Sequence, residues 1–299
     1  MPEQIALIRP DFQLAYETFG QPSHPTLLMV MGLGAQMNSW EDELCAQLAE
    51  TGFWVVRFDN RDVGRSTKLE QAQMPSLWQL MGTVLFNLPL RAPYLLRDMA
   101  ADAIALLDHL GIAQAHVVGA SMGGMIAQEL AIHYPARILT LTSIMSTTGN
   151  RWVGQPTFKM RRLLLQRPPT EEEAAVAKSL QTWRELNGPH FPFDEAKARA
   201  AIQRNRQRSV YPIGTARQLV AILASGDRTA ALRQLQLPTL VIHGDADVLV
   251  DVSGGHATAE AIPLAEKLII AGMGHTLPTA VWPQIIAGIT TLAQSTNPL

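Results

Sequence analysis

The sequence predicts an α/β protein with a mostly parallel sheet and one long helical insertion. Two observations carry this prediction. Short apolar runs bounded by turn residues alternate with helix-periodic segments, and the alternation stops between residues 147 and 228, where helical patterns follow one another. Alternation of this kind is typical of a parallel sheet that helices cover on both faces. We therefore expect a core domain of residues 1–146 and 229–299 and a helical cap of residues 147–228.

Six short apolar runs have the composition of buried parallel strands. They cover residues 26–31, 53–58, 115–118, 138–144, 238–242 and 266–270. The helix-periodic segments between them cover residues 39–51, 98–110, 122–134, 255–262 and 279–294. We expect Ser39 to cap the first of these helices, because a serine hydroxyl can accept a hydrogen bond from the free N–H groups of a first turn.

Composition narrows the function classes. Of the 299 residues, 47% are hydrophobic and 17% charged, which is enough apolar material for a sizeable core. The net charge of -2 lacks the basic field that nucleic-acid binders use, so we expect no nucleic-acid partner. The single cysteine, Cys45, excludes an internal disulfide and a zinc site built from cysteines. It favours a reducing, cytoplasmic setting.

Neither targeting nor membrane spanning is expected. The N-terminal residues lack the apolar run and the cleavage site of a signal peptide, which argues against secretion by that route. The uncharged stretch 71–90 is interrupted by polar residues, glycine and prolines, and it is too broken for a transmembrane helix.

The predicted cap carries an excess of positive charge. It holds 14 Lys and Arg against 7 Asp and Glu. One interpretation is a solvated helical surface with Arg199, Arg204, Arg206 and Arg208 facing water, and the other is a rim that guides an anion. We favour the solvated surface, because runs of charge on helices usually face water.

A serine stands at a strand-to-helix turn in the stretch "VVGASMGGMIAQ". Gly119, Ser121 and Gly123 occupy alternate positions, and Gly124 follows. A turn that exposes a serine needs small residues two before and two after it, because the backbone is crowded there. Close packing of a helix on a sheet would also use these glycines. The apolar strand before the turn and the apolar-faced helix after it favour Ser121 as a nucleophile.

A serine hydroxyl is a poor nucleophile at neutral pH and needs a base, which in turn needs an acid to orient it. His275 follows the last predicted strand, and Asp247 follows the strand before it. Asp245 and Asp251 are rival acids. We favour Asp247, which lies three residues past the glycine that ends its strand, and we expect His275 to be the base.

The remaining histidines are weaker candidates for the base. His243 is expected to hydrogen-bond within its turn, and His256 belongs to the start of a helix. The others lack a serine or an acid in matching context: His24, His109, His116, His133 and His190. No histidine pair has the spacing of a known metal motif, so we expect neither a metal nor a cofactor.

The negative oxygen that develops on an attacked carbonyl needs hydrogen-bond donors in place. We expect one from the backbone N–H of Met122, directly after the nucleophile. The second is expected from Leu33, which follows Gly32 in the loop "MGLGAQMNSW". The alternative is an ordinary strand-to-helix turn without this role.

Four motifs in order resemble the α/β-hydrolase superfamily, in particular its small bacterial esterase-type members, the group that includes aclacinomycin methylesterase. They are "VMGLGAQMNSW", "RFDNRDVGRS", "DMAADAIALLDHLGIAQAHVVGASMGG" and "HGDADVLV…GMGH". The resemblance spans nearly the whole chain. It implies an α/β-hydrolase fold with a mostly parallel sheet of about eight strands, flanking helices and an inserted helical cap.

The same resemblance implies a function. It implies a triad of Ser121, Asp247 and His275, with Leu33 and Met122 as backbone oxyanion donors, and hydrolysis of a small-molecule carboxylic ester without a cofactor. In such proteins "DNRDVGRS" is a structural turn, so its charged residues are not expected to be catalytic.

Two features depart from the family pattern. Met31 and Gly32 stand where many members have His-Gly, which keeps the backbone donor but removes a side chain. Residues 69–93 form a longer connection than usual, with apolar residues at helical spacing that include Trp78. This segment could be core under the cap, a second part of the lid, or a membrane-interface helix. A lid would favour an ester with an apolar group, and Gly32 and Trp78 are candidate substrate contacts.

Other functions fit the same machinery. A lactone, a thioester or a C–C bond could be the substrate, and peracid formation is a further alternative. A serine rather than an aspartate at position 121 argues against dehalogenase or epoxide-hydrolase chemistry. From another class, the chain could be a ligand receptor that keeps the fold without turnover.

Overall fold

The computed structural model describes residues 2–86, 88–164, 166 and 169–296. Residue 87 of the predicted lid segment, residues 165, 167 and 168 of the predicted cap, and residues 1 and 297–299 of the predicted core lie outside the described residues. No helix within the described ranges is long and apolar enough to cross a membrane.

A single sheet organises the described part of the chain. Its eight strands are β1 (Gln4–Arg9), β2 (Phe12–Phe19), β3 (Thr26–Val30), β4 (Trp54–Phe58), β5 (Ala115–Ala120), β6 (Ile138–Ile144), β7 (Thr239–Gly244) and β8 (Ala265–Ile270). Their spatial order is β1-β2-β4-β3-β5-β6-β7-β8. Strands β3 to β8 are parallel to one another, and β1 and β2 add an antiparallel edge. The predicted α/β-hydrolase fold with about eight strands is confirmed.

Helices lie on both faces of the sheet. In chain order they are α1 (Asp42–Glu50), α2 (Leu77–Phe86), α3 (Leu96–His109), α4 (Met122–His133), α5 (Phe158–Leu164), α6 (Glu172–Leu186), α7 (Glu195–Arg208), α8 (Pro212–Ser225), α9 (Thr229–Leu232), α10 (Ser253–Ala261) and α11 (Trp282–Gln294). Helices α3 and α4 pack on one face, and α1 and α11 pack on the other.

The central strands are buried on both sides, which explains why they are continuous apolar runs. Along β3, Leu28 and Val30 belong to the cluster under α3 and α4, whereas Leu27 and Met29 belong to the cluster under α1 and α11. The two clusters hold the sheet between the two helix layers, so the carboxyl ends of the parallel strands form one fixed edge.

Two local expectations differ from the structure. Ser39 does not cap α1, because it lies in a short 3₁₀ turn (Met37–Ser39) and the helix begins at Asp42 after Glu41. The strands β1 and β2 were not predicted. Their signal is the mixture of apolar and polar residues in "FQLAYETF" and the tight turn at Asp11, which has φ 63°.

The long connection between β6 and β7 is helical, with α5 to α9 and no strand among its described residues. A small apolar cluster of its own joins α6 and α7 through Val176, Leu180, Ala198 and Ile202. We call residues 147–228 the inserted segment.

Arg208, at the end of α7, was predicted to face water, and that prediction is wrong. Its guanidinium lies 2.6 Å from Asp59 Oδ2 and 2.9 Å from Glu3 Oε2, and its side chain is 10% exposed. The ion pairs tie the inserted segment to the core turn that contains Asp59. Arg199, by contrast, pairs with Glu173 at the surface.

The apolar face of α2 is exposed. Leu77, Trp78 and Phe86 are 70%, 80% and 73% exposed. Side chains this exposed are not part of a core, so the interpretation of this helix face as core under the cap is wrong.

Candidate active site

Ser121 stands at the sharp turn between β5 and α4. Its φ of 57° and ψ of -121° lie in a region that L-residues rarely adopt, at a cost of about 1–3 kcal/mol. The Ser121 N–H donates to the Ile144 carbonyl at 2.8 Å, and its carbonyl accepts from Ser146 Oγ at 2.8 Å. Strand β6 and the residues after it therefore hold the turn in this conformation, with the half-buried serine at the start of a helix.

The glycines around Ser121 are required by close backbone contacts. A Cβ on Gly119 would lie 2.1 Å from the Gly123 carbonyl oxygen, and a Cβ on Gly123 would lie 2.0 Å from the Val30 carbonyl oxygen. Both distances are shorter than any real contact, and the partners are backbone atoms that cannot move aside. The glycines thus serve close packing and serine exposure together, rather than one or the other.

Asp247 and His275 are in direct contact. Asp247 Oδ2 lies 2.7 Å from His275 Nδ1, while Oδ1 accepts hydrogen bonds from the backbone N–H groups of Leu249 and Val250, both at 2.9 Å. With Nδ1–H donating to the carboxylate, the imidazole lone pair is on Nε2, the nitrogen that a proton acceptor needs to present.

The Asp247 side chain is fully buried. Burial alone would raise its pKa, but the charge of His275 and the hydrogen bonds from His243 and His275 outweigh burial and hold the pKa well below its usual range. The group is therefore a carboxylate at any pH used to assay an ester hydrolase. A carboxylate at this position can stabilise an imidazolium.

The two rival acids have other partners. Asp245 Oδ1 accepts from the Gly272 N–H at 2.6 Å, and Asp251 Oδ1 accepts from the Ser253 N–H at 3.0 Å. Within the described part of the chain, neither is hydrogen-bonded to His275. Each holds a local turn instead.

His243 is a contact of the acid that sequence reasoning missed. Its Nε2 lies 2.8 Å from the Val250 carbonyl oxygen, as expected for a bond within the turn, and 3.4 Å from Asp247 Oδ2. The ring is fully buried. The spacing of four residues between His243 and Asp247 is the only signal in the sequence that could have indicated this contact.

The loop that carries His275 packs on the connection after α6. The His275 N–H donates to the Leu186 carbonyl at 2.6 Å. A Cβ on Gly274 would lie 2.1 Å from the same oxygen, so only glycine fits. The inserted segment therefore contacts the backbone of the residue predicted to be the base.

Gly32 lies against Ser121. A Cβ on Gly32 would be 3.1 Å from Ser121 Cβ and 3.6 Å from Ser121 Oγ. Within the part of the chain that the structure describes, the backbone N–H groups of Leu33 and Met122 donate no hydrogen bond, whereas the neighbouring Gly34 N–H does. Free donors beside a serine at a helix start have the chemistry of an oxyanion hole.

The structure brings the predicted site residues together in two groups. Ser121 and Gly32 are adjacent, and Asp247 and His275 are adjacent, but Ser121 Oγ and His275 make no direct hydrogen bond in the part of the chain that the structure describes. Catalytic hydrogen bonds are often long before substrate binds. Trp78 is 80% exposed, so its role as a substrate contact stays a prediction.

Comparison with known proteins places the chain in a family. The α/β hydrolase fold family matches residues 25–278, and the chain belongs to it. It is 31% identical to a rhodomycin D methylesterase of Streptomyces peucetius over 91% of this chain and 92% of the relative. A rhodomycin D methylesterase of a second Streptomyces strain is 29% identical over 97% of both chains.

Solved structures agree in fold. A meta-cleavage product hydrolase of Pseudomonas fluorescens superposes with a TM-score of 0.74 at 17% identity, covering 98% of both chains. An esterase of Rhodococcus gives a TM-score of 0.73 at 20% identity, covering 99% of this chain and 100% of its own. The predicted family is confirmed, and with the methylesterase relatives the enzyme class, carboxylic ester hydrolase, is confirmed as well.

Proposed function

We propose that the chain hydrolyses a carboxylic ester through an acyl-enzyme intermediate on Ser121. The observation that carries this proposal is the 2.7 Å contact between His275 Nδ1 and Asp247 Oδ2. The three residues follow β5, β7 and β8, whose carboxyl ends share one edge of the parallel sheet, which is where open α/β folds bind ligands.

In the first half of the reaction, Ser121 Oγ attacks the ester carbonyl carbon while His275 Nε2 takes the hydroxyl proton. The carbonyl oxygen becomes an oxyanion. When the tetrahedral intermediate collapses, the bond to the alcohol breaks and His275 returns the proton to the leaving oxygen. The alcohol departs and the acyl group stays on Ser121.

In the second half, water replaces the alcohol. His275 Nε2 takes a proton from the water as its oxygen attacks the acyl carbon, and the proton then goes to Ser121 Oγ as the acid product leaves. The Asp247 carboxylate orients the imidazole and stabilises its charged form in both halves. The buried position of this carboxylate strengthens the interaction.

The backbone N–H groups of Leu33 and Met122 supply the two donors for the oxyanion. Their lack of acceptors in the described structure and the contact of Gly32 with Ser121 support this role. One such donor is typically worth about 10²–10³ in rate.

The substrate is a small-molecule ester, and the two methylesterase relatives support a methyl ester. We further propose that residues 147–228 form a cap over the site, and that the segment 69–93 is a second part of the lid that contacts an apolar group of the substrate. The exposed apolar face of α2 supports this assignment, because such a face is costly in water unless it meets a ligand or partner. A cytoplasmic location stays a prediction from the lone Cys45.

Ser121→Ala tests the nucleophile. Turnover of p-nitrophenyl acetate should fall by about 10⁴-fold or more while the protein stays folded, because no other hydroxyl takes the position. The matched control is Ser143→Ala, which removes a buried hydroxyl without a hydrogen-bond partner in the described structure and should keep turnover. Full activity of Ser121→Ala would sink the proposal. If the wild-type protein binds a ligand but does not turn over esters, the alternative function, a ligand receptor with the same fold, is favoured.

The lid is tested by substrate preference. Trp78→Ala should lower kcat/KM for p-nitrophenyl octanoate by about tenfold and leave the acetate ester unchanged, because only the long chain would bury the indole. Leu264→Ala is the control, since Leu264 is also an exposed apolar residue but lies between α10 and β8, outside both the cap and the segment 69–93. Equal losses on both esters, or equal losses in both variants, would count against the lid.

A lactone is the second candidate substrate. A 3-oxoadipate enol-lactonase of Acinetobacter baylyi is 27% identical over 84% of this chain and 82% of its own. Ring opening of a lactone uses the same acyl-serine step. Comparing kcat/KM for a five-membered lactone and for a methyl ester separates the two.

A further inference from the structure

The loop that would hold the oxyanion is fixed by side chains from the inserted segment. This loop, residues 31–36, connects β3 to the short 3₁₀ turn and is called the oxyanion loop below. It contains Gly32 and Leu33. The chain returns to it nearly two hundred residues later, through α7 and α8.

Gln218 of α8 makes the central contact. Its Oε1 accepts a hydrogen bond from the Gly34 N–H at 2.8 Å, and its Nε2 donates to the Arg61 carbonyl at 2.8 Å. The side chain is fully buried. Both ends of the amide are therefore used, one on the oxyanion loop and one on the core turn behind it.

The same helix touches the loop a second time. Gly34 has φ +65°, and a Cβ there would lie 2.7 Å from Thr215 Oγ1, one turn before Gln218 on α8. The backbone of the loop thus runs directly against α8. Gln218 contacts Gly34, the residue next to Leu33. A shift of the Gln218 side chain would therefore move Gly34 and change the direction of the Leu33 N–H.

The end of the loop is held by α7. Gln36 Nε2 donates to the carbonyl oxygens of Asn205 at 2.7 Å and Ser209 at 3.0 Å, and Arg208 donates to Gln36 Oε1 at 2.7 Å. Gln36 is 5% exposed. These contacts are partly buried, so a lost partner would leave a poorly hydrated polar group unpaired or force the loop to move.

We propose that Gln218 is a positioning residue that sets the oxyanion loop from the inserted segment, with Gln36 as the second attachment. The inference rests on the proposed function, because it assumes that Leu33 donates to the oxyanion. The inserted segment, which we propose covers the site, would then also set the position of the oxyanion loop that stabilises the transition state.

Gln218→Met removes both hydrogen bonds and keeps the length of the side chain. We expect kcat and kcat/KM for p-nitrophenyl acetate to fall together by about tenfold, with KM within about twofold, because an oxyanion contact acts in the transition state. The inhibition constant of phenylboronic acid, which forms a charged tetrahedral adduct with a serine, should rise by the same factor. The control is Gln207→Met on the exposed side of α7.

A purely structural role predicts something else. It would lower the midpoint of unfolding and leave kcat and boronate inhibition of the folded protein unchanged, and that result would overturn the proposal. If Gln218→Met does not fold, Gln36→Met decides, since it loosens the other end of the same loop. Unchanged kcat in a folded Gln36→Met would then overturn the proposal.

The failure of this inference is distinguishable from the failure of the proposed function. If Ser121→Ala keeps ester turnover, the proposed function fails, and the positioning role fails with it because that role assumes an oxyanion formed by attack of Ser121. If Ser121→Ala is inactive and Gln218→Met is as active and as sensitive to boronate as the wild type, only the positioning role is wrong.

Discussion

The two sides of the proposed site are held by different kinds of contact. On the histidine side, the groups that hold Asp247 and His275 are mostly main-chain atoms: the N–H groups of Leu249 and Val250 and the carbonyl oxygen of Leu186. On the oxyanion side, the loop is held by side-chain amides, of which Gln218 is fully buried.

The difference determines where each side is vulnerable. Main-chain contacts survive most substitutions of the residues that make them. They are lost where a glycine that allows two backbone segments to approach closely is replaced by a larger residue. Side-chain contacts fail with one substitution at the amide. We therefore expect the histidine side to be sensitive at its acid and its glycines, and the oxyanion side to be sensitive at its glutamines.

The largest effect on the histidine side is expected from Asp247→Asn. The pKa of Asp247 is held well below its usual range, so the native group is a carboxylate throughout the assay range, and the amide removes its charge. An asparagine can also hold the imidazole in the wrong tautomer. We expect kcat for p-nitrophenyl acetate to fall by about 10⁴-fold.

Asp251→Asn is the matched control for that change. Asp251 is exposed and its carboxylate accepts a hydrogen bond from the Ser253 N–H within its own turn, so its amide variant should keep most of the activity. Comparable losses in both variants would mean that the choice of acid is wrong.

A smaller effect on the same side is expected from Gly274→Ala. The added Cβ would lie 2.1 Å from the Leu186 carbonyl oxygen, and backbone atoms must separate to admit it. Because His275 is the next residue, a shift of about 1 Å should lower kcat by about 10²-fold. The rate of acetate ester turnover measures this.

Gly288→Ala in α11 is the control for an added methyl group. Its Cβ would lie 2.8 Å from the flexible end of the Leu240 side chain, which can move, and 3.9 Å from Leu268 Cδ2, which is an ordinary contact. A normal rate in Gly274→Ala would mean that main-chain contact with the inserted segment does not position the base. The smallest effect of the series is the tenfold loss expected for Gln218→Met on the oxyanion side.

Local features of the site could be predicted from the sequence. The strand, the glycines and the helix around Ser121 lie within a few residues of one another, so their pattern is readable without the fold. Asp247 and His275 follow strands that are apolar runs, and parallel strands place their ends together. The structure puts Asp247, rather than Asp245 or Asp251, beside His275.

Contacts between distant parts of the chain could not be predicted in this way. Gln218 reaches a backbone N–H that is 184 residues away, and nothing around it in the sequence distinguishes it from an exposed glutamine. Arg208 belongs to a run of charges that is typical of a solvated helix face, yet it pairs with buried Asp59. The antiparallel strands β1 and β2 mix polar with apolar residues, so they lack the continuous apolar runs that identify the central strands.

Covalent labelling can identify the nucleophile, which we propose to be Ser121. The wild-type protein would be treated with a fluorophosphonate and the modified peptide identified by mass spectrometry. We expect one adduct per chain, located on Ser121, formed in parallel with the loss of ester turnover and absent in Ser121→Ala. An adduct on another residue that removes activity, or full turnover after Ser121 has been labelled, would contradict it.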